Sequence, residues 1–145
     1  MTHVSREIVE RFVAAAVSEH PEDMADCYAG QVVIEMPFTA GLYPSRIETT
    51  RDELRQRFAA SAAVRRYERL ADVRIHETAD PEVVIAEYSI HGHLVADGQP
   101  FVLTIAMVIT VRDGRIVHSR DYADPVAGAR VLGRLPELIS ALAQP

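Results

Sequence analysis

Residues 114–125 read GRIVHSRDYADP, and the rest of the fold can be worked out from them. Arg115–Tyr122 has the composition and alternation of a β-strand. Successive strand side chains point to opposite faces. Val117, Ser119 and Asp121 therefore share one face, and His118, Arg120 and Tyr122 share the other. If the first face is the inner one, a lone carboxylate ends an apolar sheet. Such a group is costly unless it is paired or used. Asp113-Gly114 is a tight turn into the strand from a preceding one. Asp124-Pro125 supplies an N-cap and a proline at the first helical position, so a helix opens after the strand.

Upstream, Gln99–Arg112 and Val83–Val95 are long apolar strands joined through an Asp97-Gly98 hairpin signal. Glu68–Glu77 is a further strand, turned at Asp80-Pro81. Before it, Thr50 and Glu53 form a capping box for a helix over Arg51–Val64. Gln31–Pro37 reads as a strand followed by a loop, Thr39–Thr49. Ser5 is placed to cap a first helix over Arg6–Val17, whose apolar residues recur at helical spacing. Pro21–Ala29 reads as a short second helix ending at Gly30. The last helix runs from Pro125 to about Leu132, and Pro136–Leu142 adds a turn or two. Segregated helices and hairpin-linked strands predict an α+β fold. The expectation is one domain over 1–145, a curved antiparallel or mixed sheet wrapped around helices as a cone with a mouth.

Composition narrows the chemistry. All 15 basic residues are arginine, which excludes a Schiff-base lysine and a Walker A loop. The net charge of −6, with no basic run, argues against nucleic acid as a partner. Arg65/Arg66 and Arg51/Arg55 read as solvated helix-face charges. Cys27 is the only cysteine and reads as a small buried apolar residue. With no apolar signal region and no membrane-length apolar run, the expected setting is cytoplasmic and bacterial, away from membranes. No dinucleotide or phosphate loop occurs, so no cofactor is expected. His91 and His93 form an H-x-H pair on a strand face shared with Glu87 and Ser89. That face reads as the outer one, and no metal is expected.

Three stretches carry a family resemblance. Glu10–Ala15 (ERFVAA) is similar to the first helix of ketosteroid isomerases. GRIVHSRDYADP is similar to the last strand of limonene epoxide hydrolases. DVRIHETADPEVVIAEYSIHGHL resembles the phenazine-biosynthesis A/B proteins. Together they make the chain look like a member of the SnoaL-like, nuclear-transport-factor-2-like superfamily. The resemblance implies a cone-shaped α+β barrel, a homodimer through the outer sheet face and a role in bacterial secondary metabolism. It places the epoxide hydrolases' catalytic aspartate, and the phenazine proteins' catalytic glutamate, on Asp121. The polar groups of the isomerases would fall on Phe12, Met36 and Ala106, which cannot serve that mechanism. Two further epoxide hydrolase groups would fall on Tyr88 and Ile90. In the third helix Arg57 stands where the phenazine proteins have a histidine, and Ser61 matches their serine.

The residues point to Asp121 as proton donor or acceptor, with Tyr88 as its hydrogen-bond partner on the face of Val84, Ala86 and Ile90. Phe12, Tyr28, Met36, Phe38, Tyr43, Phe58, Ile90, Val102, Thr104, Ala106 and Ser119 are the candidate lining of the pocket. Glu35 and Met36 sit on opposite faces, and Glu35 reads as the outer one. The expected activity is cofactor-free cyclase, isomerase or epoxide-opening chemistry on a small apolar metabolite. The alternative is a non-catalytic ligand-binding or scaffold protein of the same fold.

Overall fold

The computed structural model describes residues 2–145, with side chains from Val4 onward. The element order is α1 (Thr2–Ala15), a 3₁₀ helix (Pro21–Cys27), β1 (Tyr28–Glu35), β2 (Arg46–Thr50), α2 (Arg51–Val64), β3 (Arg65–Glu77), β4 (Val83–Leu94), β5 (Pro100–Arg112), β6 (Arg115–Ala123), α3 (Pro125–Val131) and α4 (Leu135–Leu142). The six strands form one open sheet in the order β2-β1-β6-β5-β4-β3. Only β1 and β6 run parallel, and the other pairs are antiparallel. The fold is α+β with a mixed sheet, as the pattern of the chain implies.

The core lies between one sheet face and α1, α2 and the 3₁₀ helix. Val9 and Val13 of α1 meet Val84 and Ala86 of β4 and Ile109 of β5, all nearly or wholly shielded from solvent. Each such aliphatic side chain contributes roughly 1.5–3 kcal/mol by leaving water.

Local signals position the elements that frame the site. The Thr50 side chain accepts from the Glu53 N–H at 3.2 Å and starts α2. The Glu53 carboxylate accepts from the Thr49 hydroxyl at 2.7 Å, not from the backbone as a full capping box would have it. Asp124 accepts from the Val126 N–H at 2.9 Å and starts α3 behind Pro125. Asp113 and Gly114 both have positive φ, 53° and 74°, the conformation of a tight hairpin turn.

The structure departs from expectation in several places, and β3 begins at Arg65 rather than Glu68. Ser5 does not cap α1, which begins earlier. Its hydroxyl donates to the Pro81 carbonyl at 2.8 Å and ties the helix to the β3–β4 turn. The second helix is 3₁₀, and β1 starts at Tyr28 rather than Gln31. Residues 46–50, read as loop, form the edge strand β2, paired antiparallel with β1. In β6, Thr110 pairs with His118 but Val111 with Ile116, so Val117 is the extra residue of a bulge. Ile116, not Val117, is the inward companion of Ser119.

Candidate active site

The centre of the site is on β6. Ser119 lies between Ile34 of β1 and Ile109 of β5, and Asp121 lies opposite Met107 of β5. Asp121 Oδ1 and Ser119 Oγ are both buried, and neither completes a hydrogen bond. Burial pushes the Asp121 carboxyl up from its ordinary 3.8 to about 6, with the Ser119 hydroxyl and the His118 charge pulling the other way. Because both oxygen atoms are left unsatisfied, the pull of Ser119 is weak and desolvation dominates. Among the described residues no arginine forms an ion pair with Asp121.

Two buried phenols sit within electrostatic reach. Burial, then the charge of Asp121, raises both Tyr28 and Tyr88 above the ordinary tyrosine value, so both stay protonated. The Tyr88 hydroxyl donates to Met107 Sδ at 3.4 Å and makes no bond to Asp121. The expected direct partnership is therefore intercepted by the thioether that faces Asp121 across the ladder. The Tyr28 ring packs edge-on against Phe12 at 5.5 Å and tilted against Phe58 at 6.2 Å.

Asp121 opens onto two adjoining chambers. The first holds about 380 Å³ and is walled by α2, the 3₁₀ helix and β1, with Met24, Ile34, Leu54 and Phe58 as its apolar surface. The second holds about 230 Å³ between the segment after β1 and α3, lined by Phe38, Tyr43, Gly128 and Leu132. Met36, Arg65 and Asp121 belong to both. The first volume suits a small organic ligand. Ring contacts hold the wall of the second, with Phe38 5.4 Å from Tyr122 and the Arg134 guanidinium 5.0 Å from the Tyr43 ring centre.

The candidate residues divide into three groups. Asp121, Met36 and Phe58 line the first chamber, while Asp121, Met36, Phe38 and Tyr43 line the second. Phe12, Tyr28, Tyr88, Ile90 and Ser119 are buried core behind these walls and line neither. Val102, Thr104 and Ala106 lie on the opposite face of the sheet, which corrects their assignment to the pocket. They pair with His91, Ser89 and Glu87, and the inward residues of β5 are Met107, Ile109 and Val111. Val102 is 51% exposed, and Thr104 Oγ1 is 2.8 Å from Ser89 Oγ. A one-residue slip reverses every facing in a strand. The pattern points the same way, since Phe101, Leu103, Ile105, Met107, Ile109 and Val111 form an unbroken set of large apolar residues, while the alternate set carries Thr104, Ala106 and Thr110.

Arg57, Ser61 and Arg65 also line the first chamber, and composition had assigned Arg65 to solvent. Arg57, Phe58, Ser61 and Ala62 repeat at helical intervals along one face of α2, while Arg65 and Arg66, expected as helix-face charges, open β3 because the helix ends at Val64. The H-x-H pair is engaged on the outer face, His91 with Arg69 at 3.2 Å and His93 with Glu68. Glu35 is also outward, 2.8 Å from His118 Nε2, while Met36 faces the chambers. Among the described residues no three His, Cys, Asp or Glu side chains gather as metal ligands. None of the described helices is long and apolar enough to cross a membrane.

Comparison with known proteins agrees with this fold. The family model for the SnoaL-like domain matches residues 9–119. The uncharacterized protein YesE of Bacillus subtilis is 28% identical over 137 residues, covering 88% of this chain and 86% of that protein. A crystal structure from Bacillus subtilis, provisionally described as an isomerase, superposes with a TM-score of 0.80 at 25% identity, covering 91% of this chain and 94% of its own. A phenazine biosynthesis-related protein from Pseudomonas aeruginosa superposes with a TM-score of 0.74 at 17% identity, over 91% and 86%.

Proposed function

The chain belongs to the SnoaL-like domain family, and we propose that it is a cofactor-independent isomerase or cyclase in which Asp121 moves a proton on a small, largely apolar molecule. The observation that carries this reading is an unpaired, desolvated carboxylate facing an apolar cavity. A carboxyl group with a pKa of about 6 can both take and return a proton near neutral pH. The chamber excludes water from the reacting atoms, and its walls hold them at the carboxylate. Tyr88, whose hydroxyl donates to the Met107 thioether, itself stays protonated within electrostatic reach of Asp121. The description of the Bacillus subtilis structure as an isomerase supports this class of chemistry. The setting proposed is the bacterial cytoplasm, in secondary metabolism. The proposed assembly is a homodimer through the outer sheet face, where Val102 is exposed.

The test follows product formation from a panel of cyclic enones, ketones and epoxides, with wild type and Asp121→Asn side by side. General acid–base contributions are roughly 10²–10⁴-fold, and a loss of that size is expected in the variant. With Asp121 as the base, the wild-type rate climbs as pH rises through about 6, and the variant lacks that limb. Equal turnover by both proteins on any substrate found refutes the assignment. The diversion of Tyr88 to Met107 leaves Asp121 without a phenol partner and favours the second reading, a ligand-binding protein without turnover.

A further inference from the structure

We infer that the first chamber recognises a carboxylate, so that the ligand is an apolar organic acid whose charged end lies on α2 and whose body reaches Asp121. The inference rests on the acid–base reading only for what happens at Asp121. The anion site itself stands on separate residues.

Arg57 and Ser61 stand four apart on α2, Arg65 follows at the junction as the first residue of β3, and all three line the chamber. Residues spaced by four on a helix stack on one face. They form a row of hydrogen-bond donors along a wall that otherwise presents Leu54, Phe58 and Ala62. Neither arginine is neutralised. Arg55, two residues before Arg57, is ion-paired with Asp23 at 3.9 Å and with Asp26. Arg57 has no carboxylate partner among the described residues, and Arg65 Nε donates only to the Tyr67 hydroxyl, at 3.0 Å. Arg65 also stands at the junction of the two chambers beside Asp121, yet forms no ion pair with it. The three side chains are therefore donor-bearing, two of them charged, and they border an open cleft whose other walls are mostly apolar.

Charge balance selects the ligand class. Two guanidinium groups and one ionised Asp121 leave a single positive charge, which one carboxylate neutralises. A phosphate would overfill the balance. The planar guanidinium matches a carboxylate in two parallel hydrogen bonds, and a partly desolvated site strengthens them. The chain as a whole carries −6 and repels anions, so a local row of free cations has no steering role for a neutral ligand. Because Met36, Arg65 and Asp121 border both chambers, a ligand anchored on α2 can pass Asp121 and extend toward Phe38 and Leu132.

The probes are cinnamate and its neutral counterpart cinnamamide, with binding measured by calorimetry and by protein NMR shifts. The expected result is at least tenfold tighter binding of cinnamate, weakened by added salt, with the amide unaffected. Arg57→Gln and Arg65→Gln together should erase the tenfold preference, while their melting curves stay close to wild type. Asp121→Asn should bind cinnamate as well as wild type or better. Equal binding of acid and amide, no cinnamate binding, or a preference that survives the double arginine replacement overturns the inference. If Asp121→Asn keeps both the acid preference and full turnover, the acid–base reading fails and the anion site stands. If the acid preference is absent but Asp121→Asn loses turnover, the reverse holds.

Discussion

Asp121 is the residue on which chemistry and stability meet. It keeps its proton to about pH 6 in the folded chain, against an ordinary 3.8 in an unfolded one. Between those values the native state binds more protons than the unfolded state, so stability falls as pH rises through that window. Above it the cost is constant, on the order of 3 kcal/mol at most. Asp121→Asn has no such term. Urea unfolding at about pH 3.5 and about pH 7.5 should show the variant gaining on wild type at the higher pH by up to that amount. A difference independent of pH would mean that the carboxylate is solvated in the native state. Alternation placed Ser119 and Asp121 on one strand face, and the structure made that face the inner one. The diversion of Tyr88 was not legible in the sequence, because Met107 lies nineteen positions away in the chain and meets it only across the ladder.

Elements set the walls of the site, and one of them is held by a close approach. Gly92 of β4 has the Arg66 carbonyl oxygen 2.2 Å, and the Phe101 ring 2.8 Å, from where a Cβ would stand. A backbone oxygen cannot swing aside as a side-chain tip can. Gly92→Ala should therefore cost roughly 1–3 kcal/mol in chemical denaturation, as overpacking does, and should displace the start of β3, where Arg65 and Tyr67 line the first chamber. An unchanged denaturation midpoint would show that the strands part freely there. The helix starts at Thr50 and Asp124 were legible because caps are local chemistry. The edge strand β2 was not, since Arg46–Thr50 has no alternation of its own and is ordered by pairing with β1. The bulge at Val117 was hidden for the same reason, being defined by what β5 places opposite it.

At the scale of the whole molecule, the sheet divides the protein into a chambered side and an outer face. The outer face mixes exposed Val102 with paired polar groups, Ser89 with Thr104, His76 with Glu87 at 2.9 Å and Glu35 with His118. A twofold assembly through this face would be isologous, the same patch serving on both copies. Sedimentation of the 16.1 kDa chain should give about twice that mass, and Val102→Arg should return a folded monomer. A monomeric wild type would remove the proposed interface while leaving the chambers untouched.

The α+β class, the order of most elements, the two helix caps and the sharing of one strand face by Ser119 and Asp121 follow from the sequence by itself, because periodicity, turn residues and caps act over a few neighbouring residues. Which arginines lie on the cavity wall and where the Tyr88 hydroxyl points were decided only in three dimensions. Each depends on register between strands distant in sequence, and a one-residue shift in that register exchanges inside for outside.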